Sequence, residues 1–236
     1  MTKQSNPKPV TPSVQRSGRE IFCRYLLFIV SLFFMALGVA ITRRGELGVS
    51  PISSVANVMS LKYASVSLGS WLVIWNCILI LGQILLLRRN FSKIQLLQLP
   101  LSLLFGYFTD WGTRAVAALP VTSYLTQLLL VAAGTVVLGF GVSLSVIADV
   151  IMNSGEAFVK ALSDLIRRDF SSVKIVFDLS CVVLSLLLSL TFFDGSILGT
   201  REGTLIAALC TGLVVKLLSP LLSPSLNRLL AVNRSA

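Results

Sequence analysis

Histidine is missing from this chain altogether, and acidic side chains are scarce: ten Asp and Glu stand against twenty Lys and Arg. Without imidazole, the commonest metal ligand and the usual proton shuttle near neutral pH are excluded. The four cysteines, Cys23, Cys77, Cys181 and Cys210, fall within or beside apolar runs at spacings that fit no metal site. They read as small buried apolar residues. No Gly-x-Ser-x-Gly, zinc-binding His motif or Ser/His pairing occurs, so the sequence points away from an enzyme and calls for no metal or cofactor. The net charge of +10 is not the footprint of a nucleic-acid binder, because no basic stripe is interleaved with aromatics, which make up 8% of the chain.

What the chain has in abundance is apolar sequence. Hydrophobic residues account for 55% of 236 positions and charged ones for 13%, with a mean hydropathy of +0.86. A soluble domain of this length could not hide so much apolar surface. Several runs reach or approach the roughly 20 residues needed to cross a hydrocarbon core. The expected fold is all-α: a polytopic membrane helical bundle with six spans near Phe22–Ile41, Leu68–Leu87, Ile94–Thr113, Tyr124–Ile147, Val173–Phe193 and Thr204–Leu222. Residues 1–21, with Pro7, Pro9 and Pro12, read as a disordered cytoplasmic tail. The apolar run that follows is too long for a signal-peptide core and is expected to remain as an anchor. Residues 223–236 read as a cytoplasmic C-terminal tail. Sorting the basic residues by loop places fifteen of the twenty on the side of both termini, so the positive-inside rule puts both ends in the cytoplasm.

Polar residues interrupt the apolar pattern at two matching places. The first follows Leu37-Gly38-Val39 and brings Arg43, Arg44, Glu46, Ser50 and Pro51; the second, 103 positions later, follows Phe140-Gly141-Val142 and brings Asp149, Asn153, Ser154 and Glu156. Each interruption leads into a short amphipathic stretch and then two further spans. Ser50-Pro51 is a helix start with a capping hydroxyl and proline at the first helical position; Asn153-Ser154 with Glu156 is comparable. The layout therefore predicts two three-helix repeats, residues 22–122 and 123–222. Three spans per half make the second half enter from the opposite side, which is an inverted-topology repeat. Two short amphipathic or re-entrant helices complete the plan.

Paired breaks at corresponding positions are the best sequence pointer to a solute site. Arg43, Arg44, Glu46, Ser50 and Asn57 from the first half, with Asp149, Asn153, Ser154 and Glu156 from the second, are the candidate solute-binding residues. The expectation is that the two sets face one another, with Arg43 or Arg44 holding an anionic group near the capped helix start. The same charges would also suit a solvated loop at a helix end. Asp110 and Lys216 read as separate interfacial groups, and Lys174 with Asp178 as an i,i+4 pair. Arg201 and Glu202 are placed in an outside loop. Ala36/Ala40 and Ala208/Gly212 form small-residue faces suited to close helix packing.

The run Gly45-Glu46-Leu47-Gly48-Val49-Ser50-Pro51 resembles the YczE/YyaS/YitT group of bacterial integral membrane proteins. Asn153-Ser154-Gly155-Glu156 and Gly199-Thr200-Arg201-Glu202-Gly203-Thr204 are similar to that group's later motifs, so the resemblance runs from about Cys23 to Leu222. The group's usual Trp after the proline is Ile52 here. The resemblance implies an inner-membrane protein with a transport role. The expected function is a permease for a small anionic or zwitterionic solute, with the lipid bilayer as its setting. Two alternatives stand beside it: the solute-binding membrane subunit of an ATP-driven importer, docking energising partners or a second copy through Ala36 and Ala40, and a scaffold acting through the cytoplasmic segment from Glu156 to Asp169.

Overall fold

The computed structural model describes residues 17–230; the expected tail up to residue 16 and the last six residues lie outside it. Among the described residues the chain is helical, with two short 3₁₀ turns between the third and fourth α-helices. The helices are α1 (Gly18–Arg44), α2 (Pro51–Lys62), α3 (Leu68–Leu87), α4 (Gln98–Ala115), α5 (Tyr124–Ala148), α6 (Ser154–Ile166), α7 (Phe170–Phe192) and α8 (Glu202–Leu230). Five of them, α1, α3, α5, α7 and α8, are long and apolar enough to cross a membrane. The chain is thus a multi-pass helical membrane protein by length and composition. The expected third span is α4, whose 18 residues include Asp110 and Arg114; it falls outside that set. Two expected boundaries shift outward. α1 begins at Gly18, inside the segment read as a tail, and α8 continues to Leu230 through Pro220 and Pro224.

The centre of the bundle is the crossing of α1 and α5. Both helices carry glycine where the other's backbone arrives. A Cβ on Gly38 would lie 2.5 Å from the Leu138 amide nitrogen, and one on Gly141 would lie 2.6 Å from that of Met35. A Cβ on Gly134 would strike Thr42 in the same way. As residue numbers rise along α1 they fall along α5, so the two helices run antiparallel. Small residues let polar backbones approach where lipid supplies no hydrophobic drive. Around this axis Phe28, Leu32, Met35, Ala36, Val39 and Leu138 form the buried apolar cluster, shared with α2, α3 and α4.

Both short helices start inside the bundle. Asn153, which starts α6, reaches the Met35 sulfur at 3.8 Å, near the middle of α1. The Ser54 hydroxyl of α2 lies 3.5 Å from the Cys181 carbonyl, midway along α7. Each chain segment therefore turns back from the end of a long helix and restarts beside the middle of another. α2 packs on α7, and α6 packs on α3, so each half seats its short helix on the other half. Ile52 and Gly155, near the two helix starts, touch. The buried serines of α2 spend their hydroxyls on their own helix: Ser54 donates to the Pro51 carbonyl at 2.6 Å and Ser60 to that of Asn57 at 2.8 Å. That is how a helix buried on its polar and apolar faces alike satisfies its side chains.

Candidate functional site

The two breaks share a backbone solution. Glu46 and Asp149, at equivalent positions, both adopt the left-handed conformation, with φ of 60° and 47°. Ser50 and Asn153, the residues before the short helices, share φ/ψ near −57°/149°. Neither caps its helix through its side chain. Ser50 instead donates to the Ser53 hydroxyl at 3.0 Å. So the capping expected from residue type is absent, while the position at the helix start is as expected.

The surroundings of the two breaks differ. The first borders a cavity of about 610 Å³ whose walls include Arg43, Arg44, Glu46, Asn57, Gly199 and Arg201. A smaller one of about 310 Å³ adjoins it, sharing Arg43, Leu61 and Thr113 and adding Asp110. Of the candidates, Arg43, Arg44, Glu46 and Asn57 are thus brought together, while Ser50 sits just below, at the start of α2. Asp149, Asn153, Ser154 and Glu156 do not line this cavity. Antiparallel α1 and α5 place the second break at the opposite end of the pair, against Arg24. The expectation that the two sets of polar residues enclose one solute is not what the packing produces; the helix starts meet, through Ile52 and Gly155, and the charged residues do not.

Within the cavity the cations are unequally committed. Arg44 donates from Nε and Nη2 to the Leu119 carbonyl, and its Nη1 lies 4.0 Å from the exposed Glu46 carboxylate. Arg201 donates to Glu202 at 3.1 Å. Arg43 makes neither a hydrogen bond nor an ion pair among the described residues, and its nearest acidic influence is Asp110 across the adjoining cavity. Asn57 is 3% exposed; its Nδ2 donates to the Gly199 carbonyl at 2.8 Å, and its Oδ1 has no partner. Arg201 was placed in an outside loop by the hydropathy pattern. It reaches the cavity because residues 196–201 fold back along α7, where Thr200 donates to the Ser185 hydroxyl at 3.0 Å. The Gly203 amide then donates to the Leu47 carbonyl at 2.9 Å.

The second break is closed. Arg24 donates from Nη1 to the carbonyls of Ile147 and Ala148, each at 3.1 Å, and from Nε to Glu20 at 3.0 Å. These are carbonyls that the C-terminus of α5 leaves without helical donors. Ser154 is buried, its carbonyl accepting from Gln83 at 3.0 Å and its hydroxyl lying 3.3 Å from that of Ser102. Gln83 and Gln98 exchange amide hydrogen bonds at 3.0 and 3.3 Å beside it. Asp110, expected at an interface, accepts from the Gly69 amide at 2.8 Å and from the Ser67 hydroxyl, closing the start of α3. Lys174 and Asp178 form the expected pair.

Residues 22–220 match the model of a family of unknown function (DUF6198). The match covers nearly the stretch over which the resemblance was read, without bearing the YczE/YyaS/YitT name. No curated protein and no solved structure matches the chain.

Proposed function

We propose that this chain, which belongs to the DUF6198 family of unknown function, is a permease for a small anionic or zwitterionic solute in a bacterial inner membrane. In this reading α4 is the sixth span, the halves form a 3+3 inverted repeat, and both termini are cytoplasmic. The solute enters the cavity beside Arg43, and the halves rock about the α1–α5 crossing to alternate access. The observation that carries the reading is an uncommitted arginine in a cavity of about 610 Å³, at a helix break next to a re-entrant helix. That volume lies within the roughly 300–1,000 Å³ of small-molecule sites. The reciprocal Gly38 and Gly141 contacts, the matching dihedrals at both breaks and the exchange of α2 and α6 between halves support the repeat. The end bearing Arg24 is sealed, so this conformation is open toward the side away from the termini.

The importer-subunit reading loses one of the features that motivated it. Ala36 and Ala40 are 0% and 1% exposed, inside the bundle, and Ala40 meets Gly112 of α4. They are no docking face. The scaffold reading keeps an exposed charged surface on α6, where Lys160 pairs with Asp164, and no observation raises it further.

The test is solute flux in proteoliposomes, read by swelling under inward gradients of small anions and amino acids, beside protein-free vesicles. Faster entry of some solutes, lost in Arg43→Ala, is expected. Correctly inserted, cooperatively unfolding protein that passes none of them would overturn the reading.

A further inference from the structure

The cavity presents two unsatisfied groups of opposite hydrogen-bonding character. Arg43 offers a guanidinium, a donor without acceptor capacity. Asn57 Oδ1 is an acceptor, in a residue 3% exposed that lines the cavity, and it has no partner among the described residues. Its orientation is fixed: the amide nitrogen faces the Gly199 carbonyl at 2.8 Å, and turning the amide over would set two oxygens against each other. Buried amide oxygens are almost always paired, so an unpaired one in a residue that lines a cavity is a place for a ligand's N–H or O–H.

The number of free charges narrows the other end of the ligand. Arg44 is committed to Leu119 and Glu46, and Arg201 to Glu202. Thr113 spends its hydrogen on the Thr109 carbonyl. Arg43 is the cation left without a hydrogen bond among this cavity's walls; the Asp110 carboxylate in its field is held by Ser67 and Gly69, and the planar guanidinium fork matches a carboxylate in two parallel hydrogen bonds. A phosphate dianion would need a second cation, for which the adjoining cavity offers Arg114.

We infer that the cavity takes a small monocarboxylate that carries its own hydrogen-bond donor, an amino- or hydroxy-carboxylate. Arg43 holds the carboxylate and Asn57 Oδ1 accepts from the amine or hydroxyl. This rests on the reading of the cavity as a solute site. Selectivity then comes from Asn57: a plain carboxylate of equal size leaves the buried oxygen unpaired, and sites built to pair with a polar group reject analogues lacking it.

The experiment is a titration of thermal unfolding, on the purified full chain, with two matched sets: alanine, lactate and propionate, then leucine, 2-hydroxyisocaproate and isocaproate. Inorganic phosphate runs beside them. Ligand binding to the folded state raises the unfolding temperature by mass action, so each titration gives a half-saturating concentration. In wild type, the donor-bearing members of at least one set are expected to saturate at concentrations about tenfold or more below the plain member. Asn57→Leu should erase that preference. Asn57→Asp, which keeps an acceptor in place, should retain it for the amino acids. Arg43→Gln should weaken every carboxylate by roughly tenfold or more. Equal saturation by plain and donor-bearing acids in wild type, or a preference that survives Asn57→Leu, would overturn the assignment to Asn57 and leave the solute site standing. Phosphate saturating below every carboxylate would overturn the carboxylate class. No stabilisation by any probe, in protein that unfolds cooperatively, would sink this inference together with the solute site.

Discussion

Gly38 and Gly141, 103 positions apart, each receive the backbone of the residue three positions before the other: Gly38 meets Leu138, and Gly141 meets Met35. A contact that maps onto itself when the halves are exchanged is what a pseudo-twofold axis through the α1–α5 crossing would generate. A side chain at either position has to push the helices apart. Gly38→Val and Gly141→Val should each cost about 1–3 kcal/mol, as overpacked interiors do. Gly212→Val, where nothing lies within 4 Å, should differ from wild type by far less. Melting curves in one detergent give the comparison, and equal losses at all three sites would count against the crossing.

Arg24 holds three acceptors at the closed break. Arg24→Met strands the Ile147 and Ala148 carbonyls and leaves Glu20 alone at 7% exposure. Hydrogen bonds to charged groups are worth about 1.5–3 kcal/mol each. Amide exchange over residues 147–153 should quicken, with the first break unchanged. If exchange quickens at neither end, Arg24 is not a clamp.

Glu46 and Asp149 stand in left-handed backbone at equivalent places. Such a conformation costs an ordinary L-residue about 1–2 kcal/mol, and a β-branched residue more. Glu46→Val and Asp149→Val should therefore both lower the melting temperature, and Glu46→Gly should not. Flux in Glu46→Gly then separates the carboxylate's contribution from the backbone's, since glycine keeps the turn and removes the charge.

The amide pair of Gln83 and Gln98 is buried, at 0% and 2% exposure. Gln83→Leu orphans Gln98 and the Ser154 carbonyl together, a loss of about 1–3 kcal/mol. The double variant Gln83→Leu/Gln98→Leu should recover part of it, which a double-mutant cycle of melting free energies would register.

Asp169 begins α7 and accepts from the Ser172 amide at 2.8 Å. That backbone hydrogen bond, then the Ser172 side chain, holds its exposed carboxyl below the usual range. A depressed carboxyl stabilises the fold above its unfolded pKa, near 3.9, and that help is lost as pH falls through its lower folded value. Protection of the amides in the first turn of α7, relative to their intrinsic exchange at the same pH, should accordingly fall in wild type as pH is lowered below about 4. In Asp169→Asn, whose cap does not titrate, this added pH dependence should be missing.

The long helices, the two breaks and the two short helices were readable from sequence because hydropathy and helix-start chemistry are local signals. Arg43, Arg44, Glu46 and Asn57 converge because they flank one break. Asp149 could not be placed the same way. Its likeness to Glu46 reflects a shared backbone turn, and the direction of α5 carries it to the far end. Arg201 escaped because its position depends on a fold-back of residues 196–201 along α7; the one signal for it was the Gly199–Thr204 motif. Arg24 counts in the sequence as one more orienting charge, since its two carbonyl partners lie more than 120 positions away.

The exchange of α2 and α6 between halves bears on how the chain is made. While the first half of the chain is being threaded into the bilayer, α2 has no α7 to lie against, and its serine-rich, asparagine-bearing face waits on sequence still inside the ribosome. A chain stopped near residue 123 would therefore be an orphan to membrane proteases, however apolar its spans. The two halves of the chain need one another at birth, which favours their being encoded in a single reading frame.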